Sequence, residues 1–498
     1  MNKTIEMIAK ICQEHRFEEK LLFVPSYATG HQIGEYLAKT GTSWINLRVT
    51  TAFGYAQELV ALDLAAGGIR VIESHERLVI IEKLFRSNNS SGKKVRYFED
   101  AEEIPGILRC LSNAIHELRM GGFDHRKVDQ NAFIIREKGK ELVGLLDSYE
   151  HFLNKNRLID YPGVLNLAID KLEKGKKVQK DKRTMVLSDF PVTQLEEEFI
   201  RLAGGKGLIV VDHTRPKGLS CPVRFFSFSV GKGNKRTKPR TDIDLLPWLF
   251  ESEKAPKPLR DASVALLHAL GESNEVREVF RRIFSDGTHL DDVEILVTAT
   301  DPYISIIYET TTALMVPATF GSGIPVAYSR PGKALLLYLK WFADDFGANH
   351  LIRLFSGRYL DLDACQLQGE KPSPGKAAAI IRDAAIGWGR ERYQNRLKAL
   401  ANTYRQKAEE ARAEGEEEKA QRAEHSAARI EWISRFIEEL MGTTPDSESD
   451  NAVTTQEICA GALDFLRKFC RIAGDLDAPA KSRLINVLDC LKHAPSLS

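Results

Sequence analysis

The turn after the first predicted strand holds the residues that come nearest to a nucleotide-binding loop. In a P-loop, G-x-x-x-x-G-K-[ST] wraps backbone N–H groups around phosphates, and its lysine and hydroxyl serve the terminal phosphates and Mg²⁺. The matching frame here reads Pro25-Ser-Tyr-Ala-Thr-Gly30-His31-Gln32. Gly30 fits the pattern, but Pro25 replaces the first glycine and has no N–H to donate. His31 and Gln32 stand where the lysine and the Ser/Thr would be.

This degenerate frame argues against hydrolysis of Mg-ATP, so we expect neither ATP nor Mg²⁺ as a cofactor. Two interpretations of the turn remain open. The helix that follows could still bind an anion at its N-terminus. Alternatively, the turn is an ordinary strand–helix connection without a ligand.

The elements around this turn alternate between short apolar runs and helical patterns. Strands are predicted at 20–25 and 44–49, with helices following at about 27–37 and 53–62. The same alternation returns later in the chain with strands at 184–188, 207–212 and 224–230 and a helix at 194–202. Strands that alternate with helices at this spacing predict an α/β fold with a parallel sheet.

A helical block separates these two portions of the predicted sheet. Apolar residues from Leu142 to Leu153 recur with a helical period, and the block ends in a basic linker at 174–183. A second α/β unit is predicted beyond it. Its strands are expected at 264–270, 293–297 and 324–327, and its helices at 273–284 and 303–314. From residue 333 onward the chain is predicted to be helical, with a long charged helix at 400–441.

Several of these stretches, in this order, resemble AddB-type proteins, the helicase-like nuclease subunits of bacterial double-strand-break repair, which belong to the PD-(D/E)XK nuclease family. The stretches that carry the resemblance are Leu21-Leu-Phe-Val-Pro-Ser26, Arg48-Val-Thr-Thr-Ala-Phe53, Val186-Leu-Ser-Asp-Phe190, Ala269-Leu-Gly-Glu-Ser-Asn-Glu-Val-Arg277 and Asp292-Val-Glu-Ile-Leu-Val297. They are scattered over about residues 20–340, and the last two resemble the start of the second motor of a superfamily 1 helicase.

The resemblance implies P-loop-type (RecA-like) parallel-sheet motor domains with large helical insertions. Under it, residues 1–75 and 184–260 form the first motor domain, and 76–183 form a helical insertion. Residues 261–332 begin the second motor domain. Residues 333–498 form a further helical insertion or C-terminal helical region.

The departures from an active motor point in one direction. Asp189 stands where the Walker B strand would end in Asp-Glu, but Phe190 replaces the glutamate. The superfamily 1 arginine expected after the strand at 293–297 is replaced by Thr298-Ala-Thr300. With the degenerate P-loop frame, these losses imply a scaffold without catalytic residues, not an ATP-driven motor.

The nuclease part of the family has no counterpart in the sequence. Neither its carboxylate–lysine motif nor its iron–sulfur cysteines are found, so any nuclease activity would lie beyond this chain, which we expect to be a truncated or naturally split product. Cys221-Pro222 resembles the start of such a domain but lies within the first motor and is interpreted as coincidence. No metal site is predicted, because Asp361-x-Asp363 lacks a third ligand and is read as a solvated loop or cap.

The overall charge of the chain does not favour nucleic acid, so a nucleic-acid partner would have to be bound by a locally basic surface. The 70 Lys+Arg and 69 Asp+Glu give a net charge of +1. One segment is locally basic, and the candidate DNA-binding residues are Lys232, Lys235, Arg236, Lys238 and Arg240. Such a segment supplies sequence-independent affinity for phosphates, although a flexible solvated loop is an equally good interpretation. The linker at 174–183 is the second basic candidate.

Composition sets the outer bounds of the prediction. With 498 residues the chain exceeds a single hydrophobic core, since single cores stop growing near ~250–300 residues. Hydrophobic residues at 43% and charged residues at 28% are typical of soluble globular proteins. Seven scattered cysteines and no run of ~18 apolar residues predict a cytoplasmic protein that makes no membrane contact.

The sequence therefore leads to one main hypothesis about function. The chain is expected to be a catalytically inactive, helicase-like DNA-binding scaffold of a bacterial repair helicase-nuclease. Its expected partners are DNA and a partner helicase or nuclease subunit. The alternatives are a protein–protein interaction module without DNA binding, and a chain with residual ATPase activity.

Overall fold

The structure is a computed structural model that describes residues 3–90, 97–98, 105–175, 182–187, 190–211, 241–249, 253, 255–321, 323–445 and 453–492. The chain is mostly helical and carries a small parallel sheet, which is compatible with an α/β fold. It divides into two compact units, Met1–Leu267 and His268–Ser496.

The strands described in the first unit are β1 (Glu19–Phe23), β2 (Leu47–Thr50), β3 (Arg70–Val71), β4 (Leu158–Ile159), β5 (Lys182–Leu187) and β6 (Ile209–Val211). Four of them form a parallel sheet in the order β2-β1-β5-β6, and β3 and β4 form a separate parallel pair. In the register of the sheet, Leu21 lies opposite Arg48 of β2 and Thr184 of β5. The predicted strands at 20–25, 44–49, 184–188 and 207–212 are thus confirmed to within a few residues.

The α-helices described in the first unit are α1 (Lys3–Glu14), α2 (Tyr27–Lys39), α3 (Ala52–Gly67), α4 (Ser74–Ser90), α5 (Pro105–Met120), α6 (Arg136–Lys155), α7 (Tyr161–Lys174) and α8 (Gln194–Gly204). Helices α1 and α2 pack together, and α3, α7 and α8 form a second group. Leu21 and Leu22, which point to opposite faces of β1, are both fully buried. Because β1 is covered on both faces, its residues from Leu21 to Phe23 are all apolar and do not alternate with polar ones.

Lys20 is an exception within that buried strand. Its side chain is fully buried, and its ammonium group donates to the carbonyl oxygens of His15 and Glu18, each at 2.6 Å. These carbonyls lie just beyond the end of α1, where backbone acceptors are left without helical partners. Lys20 therefore fastens the end of α1 to the start of β1.

The helical insertion has a core of its own. Helices α4, α5 and α6 bury Ile81, Ile115, Leu146 and Tyr149 together with Leu158 of β4. Helix α7, by contrast, contributes to the core of the sheet and packs on α3 and α8. The predicted insertion at 76–183 thus contains one helix that covers the sheet.

The α-helices described in the second unit are α9 (Glu272–Ser285), α10 (Tyr303–Leu314), α11 (Arg330–Ala343), α12 (Ala348–Ser356), α13 (Pro374–Asp383), α14 (Arg390–Ala413), α15 (Glu417–Met441), α16 (Thr455–Lys468) and α17 (Asp477–Lys492). Helices α11 to α17 share one large core that includes Trp341, Trp432 and Phe436. Helices α9 and α10 share a small core around Val276, Phe280 and Ile307.

The second α/β unit predicted from the sequence is wrong in one respect. Helices α9 and α10 lie where they were expected, but 264–270, 293–297 and 324–327 form no strands in the described structure, and Val326–Tyr328 is a short 3₁₀ helix. A strand requires a hydrogen-bonded neighbour, and no described segment pairs with these stretches. Some of their apolar side chains consequently stay exposed, as Leu266 at 98% and Leu296 at 84% show, whereas Val297 is half-buried against the core of α9 and α10.

The prediction of one long helix at 400–441 is also wrong. Helices α14 and α15 share this segment and form a hairpin joined by Glu414–Glu416. Gly415 has a φ of 78°, a left-handed conformation that ends a helix and that glycine adopts without strain. Ion pairs between Arg405 and Glu431 and between Arg412 and Glu424 join the two helices. The strand predicted at 224–230 lies outside the described residues.

Candidate functional site

The strand order reverses between β1 and β5. The chain leaves β1 through α2 to reach β2 on one side, whereas β5 leads through α8 to β6 on the other side. In parallel sheets, ligands bind at the carboxyl ends of the two strands where the order reverses in this way. The candidate site is therefore the carboxyl edge of β1 and β5, where the sequence predicted the nucleotide-loop frame.

At this edge the connection between β1 and α2 is short. Only residues 24–26 separate the strand from the helix, and α2 already begins at Tyr27. The hydroxyl of Ser26 accepts from the backbone N–H of Thr29 at 3.2 Å, and the carbonyl of Ser26 accepts from Gly30 at 3.2 Å. The residues that would form the wrapped part of a P-loop are thus helical, and a serine side chain caps their helix.

The four positions of the nucleotide-loop frame differ in their exposure. Pro25 is exposed in the turn, and His31 and Gln32 are exposed on the second turn of α2. Gly30 is buried, because α2 passes so close to β2 that a Cβ at this position would lie 2.2 Å from Cγ1 of Val49. The structure therefore gives Gly30 a role in packing the helix against the strand.

The Walker B position is only partly described. Asp189 lies outside the described residues. Phe190, which replaces the family's glutamate, is 5% exposed within the core of the sheet, and its N–H donates to the carbonyl of Leu187 at 3.2 Å. An apolar ring packed into this core offers no ligand for Mg²⁺.

Sequence reasoning passed over the neighbouring turn between β2 and α3. Thr51 caps α3 by accepting from the N–H of Gly54 at 3.1 Å. A Cβ at Gly54 would lie 2.5 Å from the hydroxyl oxygen of Tyr27, so this tyrosine of α2 reaches over the start of α3. Tyr27 is 55% exposed and is the first residue of α2, directly after the Ser26 cap, which was the signal available in the sequence.

The first basic candidate segment cannot be placed. Lys232, Lys235, Arg236, Lys238 and Arg240 all lie outside the described residues, so their contact with DNA remains a prediction. The neighbouring residues Phe225, Phe226 and Phe228 lie outside them as well.

The second basic candidate, at 174–183, is described only at its ends. Lys182 pairs with Glu19 at 2.8 Å, and Arg183 pairs with Glu18 at 2.8 Å. Hydrogen bonds from His15 and Arg183 hold the pKa of Glu18 below its ordinary value. Two of the charges in this linker are therefore compensated by acidic partners in the first unit.

Two further sequence features of the second unit have plain structural roles. Thr298-Ala-Thr300 is an exposed stretch before α10, and the carbonyl of Thr300 accepts from the N–H of Ile304 at 2.8 Å. Asp361 accepts from the N–H of Asp363 at 3.0 Å, while the Asp363 carboxylate pairs with Lys371. The two aspartates lie in a turn, where one accepts a backbone N–H and the other pairs with a lysine.

Comparison with known proteins does not assign the chain to a family. No protein-family model matches the chain, and no curated protein matches it in sequence. None of the described helices has the length and apolar character needed to cross a bilayer.

Proposed function

We propose that the chain is a DNA-binding scaffold with a helicase-like architecture and without ATPase activity. One observation carries the proposal: α2 begins inside the nucleotide-loop frame and is capped by Ser26. A loop that is already helical cannot wrap its N–H groups around phosphates in the manner of a P-loop. The scaffold would hold DNA while a partner subunit supplies the motor and nuclease activities.

The architecture supports the same proposal. Strands β1 and β2 precede the helical insertion and β5 and β6 follow it, as expected for a RecA-like motor domain interrupted by helices. Phe190, packed in the core, removes a second element of the nucleotide site. The membership in the AddB-type family and the bacterial repair role belong to this proposal and rest on the sequence resemblance. The cytoplasmic location belongs to it as well and rests on the scattered cysteines and the lack of a long apolar run.

A mobility-shift assay with forked and single-stranded DNA at low salt tests the proposal. Binding is expected to weaken steeply as salt rises, because phosphate contacts release counterions. Charge reversal of Lys232, Lys235, Arg236 and Lys238 to Glu should abolish it. A matched control reverses the same number of exposed lysines elsewhere: Lys10, Lys39, Lys138 and Lys257. Absence of binding by the unaltered chain at low salt would refute the proposal.

A protein–protein interaction module is the second candidate. It is favoured by the exposed apolar side chains of the unpaired stretches, among them Leu266 and Leu296. Exposed apolar groups mark a partner surface where they form a contiguous patch. If this candidate is correct, reversing these three lysines and one arginine leaves every interaction of the chain unchanged.

Residual ATPase activity is the third candidate, inherited from the helicase resemblance. It predicts phosphate release from ATP that disappears when Asp189 is changed to Asn, because that carboxylate would hold Mg²⁺. The proposed scaffold predicts the same background rate for both proteins.

A further inference from the structure

Trp388 stands apart from the other tryptophans of the second unit. Trp341 and Trp432 are buried in the large core, at 0% and 1% exposure, whereas Trp388 is 58% exposed. It lies in the connection between α13 and α14. An indole ring offers a large apolar face, and leaving it in water forgoes the stabilisation that burial would give.

The backbone holds this tryptophan in a fixed place. Trp388 lies between Gly387 and Gly389, whose φ angles are 75° and 90°. The carbonyl of Gly387 accepts from the N–H of Ala348, and the N–H of Gly389 donates to the carbonyl of Asp345, both at 2.8 Å. The loop is thus fastened on both sides to the chain at the start of α12. A ring presented from a fastened loop loses little conformational freedom when it binds a ligand.

A guanidinium group lies against the ring. The Cζ atom of Arg392, one turn into α14, lies 4.7 Å from the ring centroid of Trp388. Arg396 is one helical turn further along and is also exposed. With Arg392 in place the indole is still 58% exposed, so its surface remains available to a flat ligand.

The charges around the ring are mixed. Asp383 at the end of α13 and Glu391, which precedes Arg392 in the chain, are both exposed, so the exposed charges of this segment are not uniformly basic. Its distinctive feature is the aromatic ring with an adjoining guanidinium. Every nucleobase has a π face that can stack on such a ring, but only an unpaired strand presents that face.

We propose that Trp388 is a stacking platform for an unpaired base of single-stranded nucleic acid, with Arg392 and Arg396 contacting the flanking phosphates. The inference rests on the proposed DNA binding and specifies the form of DNA that the second unit would recognise. It also predicts that duplex DNA gains nothing from this residue, because paired bases are stacked on one another.

Fluorescence anisotropy with a labelled oligo(dT) single strand tests the inference on the full chain. Trp388→Ala should raise the Kd by ~5- to 150-fold, the range expected for loss of one stacked base. Trp388→Phe keeps an aromatic face and should stay within about threefold of the unaltered chain. Phe284→Ala, which removes another exposed aromatic residue of the second unit at 51% exposure, is the matched control and should change nothing.

The outcomes separate this inference from the proposed function. If the chain binds single strands and Trp388→Ala binds equally well, the stacking platform is refuted while DNA binding stands. If the unaltered chain binds neither single-stranded nor forked DNA, the proposed function is refuted, and the stacking platform is refuted with it. An equal loss of affinity for duplex and single-stranded DNA in Trp388→Ala would also overturn the platform. Circular dichroism spectra of each variant check that its fold is retained.

Discussion

Gly30 of α2 faces Val49 of β2 at a distance that leaves no room for a side chain. A Cβ built on Gly30 would lie 2.2 Å from Cγ1 of Val49. The glycine that best matches the nucleotide-loop frame is therefore required for the contact between a helix and a strand. That requirement holds whether or not a ligand binds at the carboxyl edge of the sheet.

Gly30→Ala should destabilise the first unit. Because the added methyl group overlaps Val49, α2 must move away from the sheet, and overpacking of this kind costs about 1–3 kcal/mol. Gly34→Ala in the same helix is the control, since its new Cβ would meet only Trp44, at an ordinary 3.9 Å. That change should be neutral or stabilising by about 0.5–1 kcal/mol. Urea midpoints measured by circular dichroism check both; equal midpoints for the two variants would contradict the packing argument.

Asp160→Ala should be among the most damaging single changes in the first unit. The Asp160 carboxylate is 2% exposed, accepts from two nitrogens of Arg119 at 2.9 Å each, and caps α7 through the N–H of Gly163. Its removal leaves the buried guanidinium short of a partner, which costs about 3–5 kcal/mol.

The exposed pair of Asp63 and Lys171, at 2.6 Å, provides the comparison for Asp160. Asp63→Ala should cost less than about 1 kcal/mol, because exposed ion pairs are screened by water. Thermal unfolding of the two variants measures the difference. Similar melting temperatures would show that burial does not distinguish these carboxylates.

The hairpin of α14 and α15 should not tolerate a large side chain at Ala420. This residue is fully buried in the distal part of the hairpin, where Ala408 is also buried, at 2% exposure. Ala420→Leu forces the helices apart and should cost about 1–3 kcal/mol. Ala399→Leu, at an exposed position of α14, should leave the melting temperature nearly unchanged. A stable Ala420→Leu variant would contradict the close approach of the two helices.

Cys470 should react slowly with alkylating reagents in the folded chain. Burial raises the pKa of its thiol from 9.0 to about 11. At pH 8 the reactive thiolate is therefore scarcer than in the unfolded chain, and the 4% exposure of Cys470 also limits access. Cys110, which is exposed on α5, serves as the internal reference.

Iodoacetamide labelling followed by peptide mass spectrometry measures both cysteines in one experiment. Cys110 should be modified first at pH 8. The rate at Cys470 should rise toward pH 11 in the folded chain, and in urea it should titrate near pH 9 instead. Equal rates for the two residues in the folded state would contradict the burial of Cys470.

The sequence by itself determined most of the local structure of the first unit. The short apolar run at 20–25, closed by a proline, indicated a buried strand, and the periodicity from Leu142 to Leu153 indicated a helix with one apolar face. It also determined which chemistry is missing at the carboxyl edge, since Pro25 has no N–H and Phe190 no carboxylate. These properties are local, because backbone donors and apolar periods are read within a few residues.

Only the tertiary structure decided which elements pair and which stay alone. The stretches at 264–270 and 293–297 have the composition of strands, yet no described neighbour supplies the hydrogen bonds that a strand needs. The packing role of Gly30 depends on the position of Val49, which lies on another element. The exposure of Trp388 depends on the paths of two loops. Pairing, close approach and exposure depend on residues far apart in the chain, so a periodic pattern cannot contain them.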